Sequence, residues 1–158
     1  MYEYRVTKYD PQYRVNGVYT RVEWTSVADI GHSIGGKLLT TAEYEQMEQR
    51  HIDFLCELAE LCSAFPLNVN AWENYTGKDW CEGQKLQRED LPRIVRCILR
   101  EECWCRLNGE NFFIHFGYDY YMYVGCGLPV EAVSALAGKH RLFCEEFRSP
   151  YHDEEEQV

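Results

Sequence analysis

The stretch Cys103-Trp104-Cys105-Arg106-Leu107-Asn108-Gly109-Glu110-Asn111-Phe112-Phe113-Ile114-His115-Phe116 decides the fold. Asn108 and Gly109 both tolerate positive φ, which a two-residue type I′ turn requires. The spacing therefore predicts a hairpin joining a strand over 103–107 to one over 111–116. Residues 112–116 are apolar on both faces, which places that strand in the middle of a sheet. A second tight turn at Gly117-Tyr118-Asp119 leads into another strand over 120–124.

Upstream, residues 2–8 alternate and are rich in aromatic and β-branched side chains, so they read as a first strand. Asp10-Pro11 ends it, Asn16-Gly17 marks a turn, and 18–25 reads as a second extended segment. The two glycines of Ile34-Gly35-Gly36-Lys37 are too weak a signal for a phosphate cradle and read as a loop. Thr40 and Glu43 have capping-box spacing, flanked by Leu39 and Tyr44 at the positions of a hydrophobic staple. Tyr44, Met47, His51, Leu55, Leu58 and Cys62 then recur at steps of three and four, the stripe of a helix running from Thr40 to about Cys62. Residues 67–72 read as a strand, and a polar loop follows. Asp90 and Pro92 start a second helix that buries Leu91, Ile94, Val95, Ile98 and Leu99. Arg93, Arg96 and Arg100 line its other side, a basic stripe expected to be solvated or paired with acids on the first helix. A short helix over 129–136, stopped by Gly138, and a strand over 141–147 complete the chain. The expected fold is α+β: a single domain over 1–151, with a largely antiparallel sheet packed against two or three helices. Residues 152–158 read as an acidic disordered tail.

The 158 residues are 46% apolar and 27% charged, the balance of one globular domain. No run approaches the roughly 18 apolar residues of a membrane span, and Met1-Tyr2-Glu3-Tyr4-Arg5 lacks the apolar stretch of a secretory signal. A cytoplasmic location is expected. Sixteen Lys and Arg stand against 26 Asp and Glu, a net charge of −10, with Asp153, Glu154, Glu155 and Glu156 clustered near the end. Such a chain is repelled by phosphate backbones and attracted to basic partners, so the partner expected is a basic protein, with neither nucleic acid nor membrane bound directly. The eight cysteines are about 5% of the chain, below the roughly 8–10% of a disulfide scaffold. Cys103 and Cys105 on a strand share one face, and a paired strand bringing His115 close would make three zinc ligands. Buried free thiols acting as small apolar groups are the preferred reading; no metal and no cofactor is expected.

Catalytic patterns are sparse. There is no Gly-x-Ser-x-Gly elbow and no His-x-x-x-His pair, and Glu145-Glu146 on a strand would point to opposite faces. The aromatic run from His115 to Tyr123 lacks the basic flanks of a base-stacking surface. His115, Tyr118, Asp119, Tyr121 and Tyr123 are the candidates for a pocket or an interaction surface.

Several stretches together resemble a known group: Trp24-Thr25-Ser26-Val27-Ala28-Asp29-Ile30-Gly31, the helix start at Thr40 to Glu48, the run from Phe113 to Tyr123, and Phe147-Arg148-Ser149-Pro150-Tyr151. The chain resembles the immunity proteins of bacterial contact-dependent growth inhibition and polymorphic toxin systems. The resemblance implies a non-enzymatic cytoplasmic antidote that binds one cognate toxin domain, often a nuclease, and carries no catalytic residues to transfer. Charge density points to Glu45, Glu48, Asp53, Glu57 and Glu60, on the expected exposed side of the first helix, as partner-binding carboxylates. The alternatives are a small enzyme or ligand-binding domain with a pocket near His115, Asp119 and Tyr121, or a cytosolic protein-interaction adaptor.

Overall fold

The computed structural model describes residues 1–153. In chain order, β1 (Tyr2–Thr7) is followed by two small hairpins, β2 (Arg14–Val15) with β3 (Val18–Tyr19) and β4 (Ser33–Ile34) with β5 (Lys37–Leu38). Then come α1 (Thr41–Leu61), β6 (Leu67–Asn74), β7 (Lys85–Leu86), α2 (Leu91–Leu99), β8 (Cys103–Gly109), β9 (Phe112–Phe116), β10 (Met122–Cys126), α3 (Val130–Lys139) and β11 (Phe143–Glu146). Seven strands form one sheet in the order β11-β1-β10-β9-β8-β6-β7, and every paired neighbour is antiparallel. The expected α+β class holds. β9 is the middle strand of the seven and all five of its residues are buried, as its two-faced apolarity requires.

The hairpin turn lies two residues beyond Asn108-Gly109. Gly109 pairs with Phe112, so Glu110 and Asn111 make the turn, with Asn111 at φ 54°. A tertiary contact overrides the turn signal: a Cβ on Gly109 would lie 2.7 Å from the Ala64 carbonyl oxygen and 2.9 Å from Leu67 Cδ2. Glycine is needed there for close approach. The same dipeptide does form the turn at Asn16-Gly17, where φ is 51° and 80° and Val15 pairs with Val18. Gly35 and Gly36, with φ of 61° and 81°, close the β4–β5 hairpin. The extended segment expected over 18–25 shrinks to β3, and the strands expected over 120–124 and 141–147 become β10 and β11.

The helices pack on one face of the sheet. Tyr4, Val6, Leu107, Ile114, Phe116, Met122 and Val124 join the core with Phe54, Leu55 and Leu58 of α1, the buried face of α2, and Val133 of α3. All five residues expected on the inner face of α2 are buried. Thr40 Oγ1 accepts from the Glu43 backbone N–H at 3.1 Å, but Glu43 turns its carboxylate to Lys37 (3.7 Å), so half of the capping box forms. Asp90 makes no side-chain cap on α2; its carboxylate accepts from Gln87 N at 2.8 Å and closes the preceding 3-10 turn. α3 runs on through Gly138 to Lys139.

The opposite face of the sheet carries Phe113, His115, Tyr123, Trp104 and Arg106, and the C-terminal segment straps across it. Tyr151 packs on Trp104 and Tyr123, with ring centroids 5.9 and 5.8 Å away. Ser149 Oγ lies 2.7 Å from His115 Nδ1, and Arg106 donates to Tyr151 O and Asp153 Oδ1 at 3.1 and 2.8 Å. His152, expected in a disordered tail, is packed against Phe113 at 5.1 Å and bonded to Glu3 at 2.6 Å. His152 and Asp153 thus make contacts with the sheet; residues 154–158 of the expected tail lie outside the described residues.

Candidate functional site

Three irregular pieces of backbone meet around a cleft of about 520 Å³. The first is a bulge in β6, where register with β8 shifts between Asn70 and Glu73 and Ala71 adopts φ 55°. The Glu82 carboxylate holds this bulge by accepting from Trp72 N (2.8 Å) and Ala71 N (3.2 Å), and the Trp72 bond chiefly lowers the Glu82 pKa. A bulge re-aims the side chains after it, and Glu73 and Tyr75 here line the cleft. The second piece is the tight passage from α2 to β8, where Glu101 takes φ 60° and donates its N–H to Ile98 O at 3.0 Å. The third is the β9–β10 turn, in which Asp119 and Tyr120 both have positive φ, 60° and 68°.

That turn is fastened from below. Tyr9 donates its hydroxyl to Asp119 O at 2.6 Å, and Tyr120 donates to Tyr44 Oη at 2.8 Å. The Tyr120 ring, 4% exposed, sits edge-on to Trp24 and His51 at 5.0 and 4.8 Å. Positive φ at two adjacent residues with side chains costs about 1–3 kcal/mol each, and such strain persists where surrounding contacts over-determine it. One result is that Tyr118 projects into solvent with 82% of its surface exposed. Tyr75, across the cleft, is 59% exposed and hydrogen-bonds the Glu73 carboxylate, which pushes its pKa up to about 12.

The floor of the cleft is apolar, with Ile98, Leu99, Cys103 and Phe116, and Trp104 and Tyr151 form one wall. The rim carries the exposed carboxylates Glu73, Glu101 and Asp119, and no lining residue is Lys, Arg or His. The Trp104 indole is fixed by donating to Phe116 O at 3.0 Å. Chemically this is an aromatic, negatively rimmed recess suited to binding a cation.

The sequence-derived candidates are scattered. Tyr118 and Asp119 line the cleft; His115, Tyr121 and Tyr123 do not. His115 lies on the opposite face of the sheet beneath the strap, stacked on Phe113 at 4.1 Å, and burial drives its pKa down to about 3. Tyr121 accepts from Arg14 Nη1 at 3.0 Å, and Tyr123 is packed between Phe147 and Tyr151. Asp119 thus lines this cleft while His115 lines a separate one beside Arg106 and His152, so the expected trio of His115, Asp119 and Tyr121 is not gathered at this cleft. Nor do the zinc candidates converge: Cys103 and Cys105 point into the helix-side core and His115 away from it. All eight cysteines are free thiols, and burial pushes that of Cys103 up to about 12.

The acidic face expected on α1 needs correcting. Glu48 is 2% exposed and accepts from Arg96 Nε at 3.0 Å and from Arg100 Nε and Nη2 at 2.7 and 2.9 Å. Glu57 is partly buried and holds Lys139 Nζ and His140 Nε2 at 2.5 and 2.6 Å. Glu60 is exposed but paired with Arg88, and Asp53 accepts from Gln49 Nε2 at 2.8 Å. Glu45 stays exposed. Three of the five carboxylates are thus engaged by the chain's own cations. Glu73, Tyr75 and Glu101 escaped the sequence reading; an exposed aromatic within the polar loop after Trp72 was the available signal.

Comparison with family models, with curated proteins and with solved structures finds no match to this chain.

Proposed function

We propose that this protein is a stoichiometric inhibitor that binds a basic toxin domain of the nuclease type in the cytoplasm and blocks it. The observation that carries this reading is the aromatic cleft rimmed by Glu73, Glu101 and Asp119 and free of lining cations. A nuclease surface gathers Lys and Arg to hold phosphate, and a recess of opposite charge competes for those residues. Exposed tyrosines at its mouth, Tyr75 and Tyr118, have the character of interface anchors. The net charge of −10 adds long-range steering, which speeds capture and weakens with salt. The resemblance to immunity proteins supplies the toxin as partner, and the reading assigns no catalytic residue.

The test is co-expression with the protein encoded immediately upstream, scoring growth and co-purification. Rescue of growth with a stable complex is the expected result. A complex without rescue points to an adaptor, and neither rescue nor complex removes the proposal.

A further inference from the structure

The strongest feature of the cleft is what the protein does with the same chemistry elsewhere. On the strap-covered face of the sheet the Arg5 guanidinium carbon lies 4.0 Å from the centre of the Phe147 ring. Its nitrogens meet Glu145 at 3.0 and 3.2 Å. That is a complete unit of recognition, with an aromatic face and a carboxylate fork closed around a guanidinium. Elsewhere too the chain neutralises its acids internally, Glu48 with two arginines and Glu57 with Lys139. At the cleft the rings and carboxylates recur without a cation of the chain's own. Tyr75, Trp104 and Tyr118 supply aromatic surface, and Glu73, Glu101 and Asp119 supply negative charge from three different segments.

We infer that the cleft is the seat of a single arginine side chain projecting from a protein partner. The inference rests on the binding function proposed above and specifies its chemistry. Arginine fits better than lysine, because a planar guanidinium can stack on a ring while its N–H groups reach more than one carboxylate. The volume, about 520 Å³, leaves room for the backbone on either side of the inserted residue. Tyr118, held outward by its strained turn, closes over the alkyl stem, and Trp104 lies at the wall.

The test is NMR titration of the ¹⁵N-labelled full chain with the blocked tripeptides acetyl-Gly-Arg-Gly-amide, its lysine counterpart, and its citrulline counterpart, the uncharged isostere. Saturable shifts of the Trp104 indole N–H and the Gly117–Asp119 amides are expected with arginine, weaker ones with lysine and none with citrulline. E73Q/E101Q weakens arginine binding roughly tenfold and Y118A roughly fivefold. All three side chains are exposed, and an otherwise unchanged spectrum verifies that these variants are folded. Equal binding of arginine and citrulline peptides, or shifts confined to another surface such as the outer side of α1, overturns the inference, as does the absence of saturable shifts. The two proposals fail separately. A complex with the upstream protein that is indifferent to E73Q/E101Q and Y118A removes the arginine seat and leaves the inhibitor. Arginine-selective shifts with no such complex keep the seat and remove the inhibitor.

Discussion

Replacing Glu48 by glutamine separates a structural carboxylate from a partner-binding one. Glu48 is almost fully buried, and three guanidinium contacts of 2.7–3.0 Å converge on it from Arg96 and Arg100. They bridge α1 to α2. Hydrogen bonds to a charged group contribute roughly 1.5–3 kcal/mol each when buried, and breaking a fully buried ion pair costs about 3–5 kcal/mol. Here the arginine side chains are 40% and 33% exposed, so water re-solvates much of the charge left behind. Glutamine also keeps the shape and one acceptor oxygen. The expected loss is therefore about 2 kcal/mol, below the figure for a fully buried pair. For a chain of this length that is a fall in Tm of roughly 4–8 °C. Urea unfolding followed by circular dichroism should show a lower midpoint at constant slope. Glu45→Gln, on the exposed side of the same helix, should stay within about 0.5 kcal/mol of the parent. A Glu48→Gln midpoint indistinguishable from that of Glu45→Gln would refute the assignment of Glu48 as the clamp between the helices.

Gly109→Ala should destabilise by about 1–3 kcal/mol, because the new methyl meets the Ala64 carbonyl oxygen at 2.7 Å; an unchanged urea midpoint contradicts this. Lys8→Met should leave Tm equal or higher, because the ammonium is buried over the Tyr9 and Trp24 rings, 3.6 Å from Glu23, with no hydrogen-bond partner among the described residues. Burial there lowers its pKa to about 8, and replacing buried charge with apolar bulk is often neutral or stabilising; a loss above about 1 kcal/mol counts against it. His51 and His115 are held neutral mainly by burial, with pKa lowered from 6.5 to about 4 and about 3. Below pH 6.5 the unfolded chain binds protons that the folded chain refuses, so stability is full above that pH and declines as pH falls. Each group approaches a slope of about 1.4 kcal/mol per pH unit below about pH 6. His51→Leu should flatten the decline between about pH 6.5 and 5, and an unchanged slope contradicts the assignment.

What the sequence made legible follows from range. The stripe on α1, the inner face of α2, β1 and the mid-sheet position of β9 depend on periodicity and local apolarity, and each is found. The turn at Asn108-Gly109 moved because Gly109 answers to Ala64 and Leu67, far away in sequence. Glu48 looks like any acid on a helix until the two arginines, 48 and 52 positions later, are folded against it. The cleft was half visible. Tyr118 and Asp119 stood out within an aromatic run, whereas Glu73 and Glu101 reach the rim only through a bulge held by Glu82 and a left-handed residue after α2. No local pattern encodes their meeting.

The place of β1 in the sheet also sets a timetable. It is the first strand of this sheet in chain order, yet both of its neighbours, β10 and β11, come late, with Arg5 bonded to a residue 140 positions away. A ribosome therefore releases β1 with both edges bare, and they stay bare until almost all of the domain has emerged. Pairings so distant in sequence are slow to form, and unpaired strand edges favour association between chains in the meantime. A nascent chain stalled before β10 can pair the strands from β6 to β9 but has neither neighbour for β1. Completion of this sheet thus waits for β10 and β11, and the interval before them is when a holding chaperone has most to protect.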